Sequence, residues 1–281
     1  MDDIVWVLDS KLLQPCFQAF GLSHQWLSEG TVLRQILCLE IILFVGATFL
    51  YVGASSFTYW LFFVHLKETY HPDSEKEKPA PGQIWEEIGY SMKSLPVMAQ
   101  FFWPFFLGQV RGYSKLYTSF SEQGWGYFAF CAVWFLIWSD TWIYWIHRHS
   151  HESKYFYKNF HKIHHRFKIT TPYASFAMHP IDAFVQGLPY VVFPYFFPMQ
   201  KWFYLCSFFF LQLWTVLIHD GVHLTPFWFI NGAAHHSLHH TKFDYNYGQY
   251  LTIWDRYCKT YLNPFAKYDR KLKQWVSPDT N

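Results

Sequence analysis

Four stretches of this chain carry almost no charge: residues 36–66, 94–110, 125–146 and 183–218. They cover 106 residues yet hold only Glu40, Asp140 and Lys201, so 39 of the 42 charged residues crowd into the remaining 175. A bilayer core asks for roughly 20 apolar residues per helix, so the first and third stretches each fit one span. The fourth is 36 residues long and is broken by Pro189, Pro194 and Pro198, which predicts a helical hairpin turning near 198–201. The second has 17 residues with Pro96 and Pro104 inside, and suits a short kinked span or a re-entrant segment. The lengths and the charge depletion argue against a buried soluble core. The expectation is an all-α membrane protein with four or five transmembrane helices.

Basic residues orient such a chain, because cytosolic loops are enriched in Lys and Arg. Six lie between Arg148 and Lys168 and seven between Lys242 and Lys273, so both regions are expected in the cytosol. A net charge of +2 is too small for a phosphate-seeking surface, which excludes nucleic acid as a partner. The five cysteines are scattered without a pair motif and predict neither a disulfide framework nor a thiolate metal site. The N-terminal residues show no basic region ahead of a short apolar core, so no cleaved signal peptide is expected.

Thirteen of the 16 histidines fall between His147 and His240, and all of these but His179 form four groups: 147–151, 161–165, 219–223 and 235–240. Each group contains pairs three or four residues apart, which a helix places on one face as a chelating edge. Ten candidate ligands result: His147, His151, His161, His164, His165, His219, His223, His236, His239 and His240. A structural zinc needs about four ligands. Ten imidazoles instead suit two roughly six-coordinate ions with open positions, and the expectation is a di-iron site in a histidine-rich helical cap. No His-Glu-x-x-His occurs, which removes the usual zinc-protease reading. A metal transporter would line its transmembrane path with these histidines, whereas here they flank the apolar stretches on one side.

His149 is out of phase with both neighbours and is expected on the surface. His235 is an alternative to His236, and His179 is a further candidate ligand. Asp140, Tyr144, His147 and His151 lie along one helical face. An acid within an apolar span is costly and usually has a role. Asp140 is therefore expected to support a liganding histidine, with an interhelical hydrogen bond as the alternative. Tyr144, Thr171 and Asp220 complete the candidate catalytic residues, and Thr171 with Ser175 and Met178 is a candidate wall against substrate.

Several segments carry a family likeness. They are Ile143-Tyr-Trp-Ile-His-Arg148, His161-x-x-His-His165, Thr171-Pro-Tyr-Ala-Ser-Phe-Ala-Met-His-Pro-Ile-Asp182, Ile218-His-Asp220, Asn231-Gly-Ala-Ala-His-His236, Tyr245-Asn-Tyr-Gly-Gln-Tyr250 and Ile253-Trp-Asp-Arg256. On these the chain resembles the membrane fatty acid hydroxylase/sterol desaturase superfamily, and more narrowly the sterol C-5 desaturases of the lathosterol oxidase type. The resemblance implies a multi-pass enzyme of the endoplasmic reticulum membrane that converts a Δ7-sterol to a Δ5,7-sterol. It implies two non-haem irons, O2, and electrons from NAD(P)H delivered through cytochrome b5 and its reductase. A C-4 methylsterol oxidase or another lipid hydroxylase of the same superfamily is the alternative. The expected organisation is an N-terminal membrane region at 1–124, a catalytic domain at 125–265 and a cytosolic tail at 266–281.

Overall fold

The structure is a computed structural model and describes residues 2–19, 30–71, 78–222, 224, 227–264, 267–269 and 274–276. Six helices of ten residues or more organise the described residues. These are α1 (Val32–His65), α2 (Gln83–Val110), α3 (Gly124–Glu152), α4 (Pro180–Phe196), α5 (Lys201–Leu217) and α6 (Ala233–Lys242). Short helices at Asp2–Leu8 and Gln14–Ala19 precede them. Two small strand pairs accompany the helices: Leu116–Tyr117 runs parallel to Met199–Gln200, and Lys267–Asp269 runs antiparallel to Gln274–Val276.

Two helices, α1 and α3, are long and apolar enough to cross a membrane. Both keep large apolar side chains exposed, among them Phe49, Phe57 and Trp60 on α1 and Phe130, Val133 and Ile137 on α3. A face of this kind has a solvent of its own, as a lipid-facing surface does. The 22-residue stretch at 125–146 rises through about 33 Å as a helix, close to the thickness of a bilayer core. The last turns of α3, with His147 and His151, lie beyond that length.

The stretch at 94–110 is the second half of the 28-residue α2, which is continuous through Pro96 and Pro104. The expected hairpin is present as α4 and α5, joined at Phe197–Gln200. Each of its arms has 17 residues, about 25 Å, which is shorter than a full crossing. Helix α4 packs against both α2 and α3, with Phe106, Phe135, Ile143, Tyr190, Val191 and Phe193 buried between them.

Each charge inside the apolar stretches has a partner. Glu40 accepts from Gln100 at 2.7 Å, and Lys201 is paired with Asp3. Asp140 accepts from the backbone N–H groups of Tyr250 and Leu251 at 2.8 and 3.2 Å. A buried ion stripped of its partners destabilises strongly, so the Asp140 contacts pin the 250–251 loop to α3.

Candidate metal centre

Nine of the ten predicted ligands converge in two sets. His147, His151, His161, His165 and His239 form one, and His164, His219, His236 and His240 form the other; within each set the ligand nitrogens lie within 4.8 Å of one another. Helix α3 supplies the first pair and α6 supplies His236, His239 and His240. Short helical turns at Tyr157–His161 and His164–Arg166 supply three more, and His219 sits just past the end of α5. His223, the tenth candidate, lies outside the described residues. Neighbours in sequence serve different sets: His164 and His165 part company, as do His239 and His240. Successive residues on a helix point about 100° apart, so one turn reaches both sets.

The ring orientations are fixed from behind. The Nδ1–H groups of His147, His239, His219 and His240 donate to the carbonyls of Tyr247, Tyr245, Thr215 and Phe167 at 2.9, 2.7, 2.6 and 3.1 Å. His161 donates from Nδ1 to the Asp182 carboxylate at 2.7 Å. A ring whose proton sits on Nδ1 presents a bare lone pair at Nε2, the arrangement found behind metal-ligating histidines. Those Nε2 atoms face other imidazoles, with His151–His161 at 2.9 Å, His165–His239 at 3.0 Å, His219–His236 at 3.0 Å and His236–His240 at 3.1 Å. His236 meets two such lone pairs and has one Nε2 proton at most, so hydrogen bonding cannot satisfy the set. A cation at that focus does, and imidazoles suit iron.

Burial, reinforced by neighbouring imidazoles, holds His164, His165, His236, His239 and His240 well below the usual histidine range. Burial pushes His219 down to about 4 against the opposing pull of the Thr215 carbonyl. The rings are therefore neutral near pH 7, which is the ligating form.

The loop behind His147 is held tightly. Asp255 accepts from the N–H groups of Tyr247 and Gly248, both at 2.9 Å. A Cβ at Gly248 would lie 2.4 Å from the Leu251 carbonyl oxygen, so only glycine fits there. Asn246 has φ +60° and exchanges hydrogen bonds with the Leu262 backbone at 2.9 and 3.0 Å. The Asn-Tyr-Gly-Gln-Tyr segment is thus a bracket for the liganding histidines.

A cavity borders both sets, with His147 and His161 from one and His164, His219 and His236 from the other at its wall. The cavity is partly open to the exterior. Away from the histidines its lining is mostly apolar, including Met98, Phe102, Ile143, Met178, Phe208 and Leu211.

The fatty acid hydroxylase family matches residues 132–260, the segment that holds all nine convergent histidines. Over 253 residues the chain is 41% identical to a Delta(7)-sterol 5(6)-desaturase of Gibberella zeae, covering 89% of this chain and 75% of the relative. Over 241 residues it is 42% identical to the lathosterol oxidase of Homo sapiens, covering 84% and 78%. A Delta(7)-sterol 5(6)-desaturase of Schizosaccharomyces pombe is 40% identical over 255 residues, covering 90% and 76%. The chain belongs to the sterol C-5 desaturase branch of this family. No solved structure matches it.

Within this desaturase site the candidate catalytic residues stand back from the cavity. Asp140 does not back a histidine: its carboxylate is taken by the Tyr250 and Leu251 amides, and it anchors the bracket instead. Tyr144 lies one turn before His147, and its hydroxyl meets Thr260 at 2.9 Å and Arg148 at 3.3 Å, outside the cavity lining. Thr171 caps the Pro172–Phe176 turn and donates to Glu87, while Ser175 and Met178 reach the cavity wall. Asp220 accepts from the Val222 N–H at 2.8 Å, and burial pushes its carboxyl up to about 7. His149 is exposed, as expected. His236, not His235, joins a set. His179 joins neither set, because its Nδ1 accepts from the Ile181 N–H at 3.2 Å and caps α4.

The carboxylate that does back a ligand is Asp182, which the sequence reading left without a role. It closes the quoted His-Pro-Ile-Asp segment, and its place in the first turn of α4 aims it at His161.

Proposed function

We propose that this chain is a sterol C-5 desaturase that introduces the Δ5 double bond into a Δ7-sterol and yields a Δ5,7-sterol. The observation that carries the reading is the contact between two convergent histidine sets and one largely apolar cavity, taken with about 40% identity to Delta(7)-sterol 5(6)-desaturases and lathosterol oxidases. Two irons, held by the five- and four-histidine sets with His223 as a further candidate ligand, would supply with O2 the oxidising power that an unactivated C–H bond requires. The side chains do the rest. Carbonyls and Asp182 aim the imidazoles, the Asn-Tyr-Gly-Gln-Tyr bracket fixes the His147 end, and Ser175 and Met178 wall the substrate. Thr171 and Glu87 support that wall from behind, and Asp140, Tyr144 and Asp220 hold the elements around it.

The histidine cap is read as cytosolic and the protein as a four- or five-span resident of the endoplasmic reticulum membrane, with residues 1–124 as the membrane region, 125–265 as the catalytic domain and 266–281 as a tail. Electrons from NAD(P)H then arrive through cytochrome b5 and its reductase. Lys154, Lys158 and Lys162 are exposed along the outer side of the segment that carries His161, and they offer an acidic partner a docking face. The test is expression in a cell lacking sterol C-5 desaturation, followed by sterol analysis. A conjugated Δ5,7-diene supports the reading. A hydroxylated C-4 methyl product without diene overturns it.

A further inference from the structure

A sterol has one polar group, the hydroxyl on C-3, and that carbon is joined to C-5 through C-4 alone. Whatever places C-5 beside the histidines therefore carries the hydroxyl to the same end of the cavity, only three bonds away. A hydroxyl taken out of water needs a partner there, or the binding loses a hydrogen bond.

Five uncharged polar side chains other than tyrosine and histidine line the cavity: Ser175, Gln186, Gln212, Thr215 and Gln249. Three of them donate elsewhere: Ser175 to the Pro172 carbonyl at 2.8 Å, the Gln186 amide to Asp182 at 2.9 Å, and Thr215 Oγ1 to the Leu211 carbonyl at 3.0 Å, which leaves the Thr215 oxygen free only to accept. Gln212 lies seven residues before His219 on α5, about 10 Å along the helix, and Thr215 lies four before it, about 6 Å. The amide Nε2 of Gln249 reaches Thr215 Oγ1 at 3.4 Å, which places Gln249 in the same layer next to the histidines. The backbone around Gln249 is rigid: its carbonyl accepts from the Trp214 indole at 2.8 Å, and the next amide donates to Asp140 at 2.8 Å.

We infer that Gln249, backed by Thr215, takes the C-3 hydroxyl of the sterol. The amide offers a carbonyl oxygen to the hydroxyl proton and an N–H to its lone pair, so it reads a hydroxyl as both donor and acceptor. This deepens the desaturase reading and rests on it. It also gives the bracket loop a second task, since the segment that orients His147 would register the substrate against it.

The test compares a Δ7-sterol with its 3-deoxy analogue, by equilibrium binding to the metal-free protein and by kcat/KM of the iron-loaded enzyme. Gln249→Leu should weaken binding of the 3-hydroxy sterol about 10- to 100-fold and leave the 3-deoxy analogue unchanged. The loss in turnover should lie mainly in KM, at unaltered iron per chain. Thr215→Val should produce a smaller loss with the same selectivity. Equal weakening of both sterols by Gln249→Leu, or a wild-type protein that binds both equally, overturns the assignment. A wild-type enzyme that forms no diene from any sterol overturns the desaturase reading itself.

Discussion

The two histidine sets differ in more than number. The five-membered set contains the partly exposed His151 and, among the described residues, is the one backed by a carboxylate, Asp182 behind His161. The four-membered set is buried throughout, and its recorded rear partners are the carbonyls of Thr215 and Phe167. A carboxylate behind an imidazole raises its basicity, so the larger set should grip its ion more tightly. The smaller set leaves more coordination positions free of the described residues and supplies three of the five histidines at the cavity wall.

The sharpest way to break this contrast is to remove one ligand from each set. His161→Ala or His236→Ala should abolish diene formation, and iron analysis should show about one ion lost per chain, while His149→Ala keeps most activity. Full turnover by either ligand variant at normal iron content would remove both sets from the mechanism.

Acid should act next most strongly, and visibly on the smaller set, whose four members all titrate below the usual range. The unfolded chain takes up these protons near pH 6.5, whereas the folded chain resists them. Stability of the metal-free protein is therefore full above about pH 6.5 and falls as the pH drops below it, by at most about 1.4 kcal/mol per pH unit for each such histidine. Denaturation in detergent between pH 8 and 5 checks the sign, and a flat profile would contradict it.

Asp182→Asn sharpens the comparison without removing a ligand. It should weaken metal retention by the larger set about 10- to 100-fold. A chelator titration of the wild type should strip the smaller set first, and the variant should narrow or erase that separation. Ser94→Ala is the mildest test. Ser94 on α2 donates to the Met178 carbonyl behind the cavity wall, so its loss should cost about 1 kcal/mol of stability and a few-fold in turnover, with iron unchanged.

Much of this centre was legible in the sequence, because chelating pairs recur at helical spacing and spans exclude charge. What the spacing could not reveal is the allotment to sets. His164 and His165 look like one edge until the turn carrying them is placed between α3 and α6. Asp140 signalled its cost in an apolar span, but its partners are 110 and 111 residues away, and only the fold brings them together. Asp182 was hidden for the same reason: nothing local ties it to His161, 21 residues earlier. Thr171 caps a turn and donates to Glu87, and a hydroxyl that caps a turn has the same sequence signature as one that faces a cavity. Among the helices, the α4–α5 hairpin was predicted by its prolines, while the continuity of α2 through Pro96 and Pro104 was not.

The histidine doublets have a consequence for how the centre ages and heats. In His164-His165 and His239-His240, one peptide unit joins a member of one set to a member of the other, so covalent bonds act as a ruler between the two positions. Loosening of the helix bundle can blunt the aim of every ring, yet it cannot draw the two positions far apart while these turns keep their shape. Failure of the warmed protein should therefore begin with ions escaping, and separation of the ions from each other should come only when the turns themselves melt.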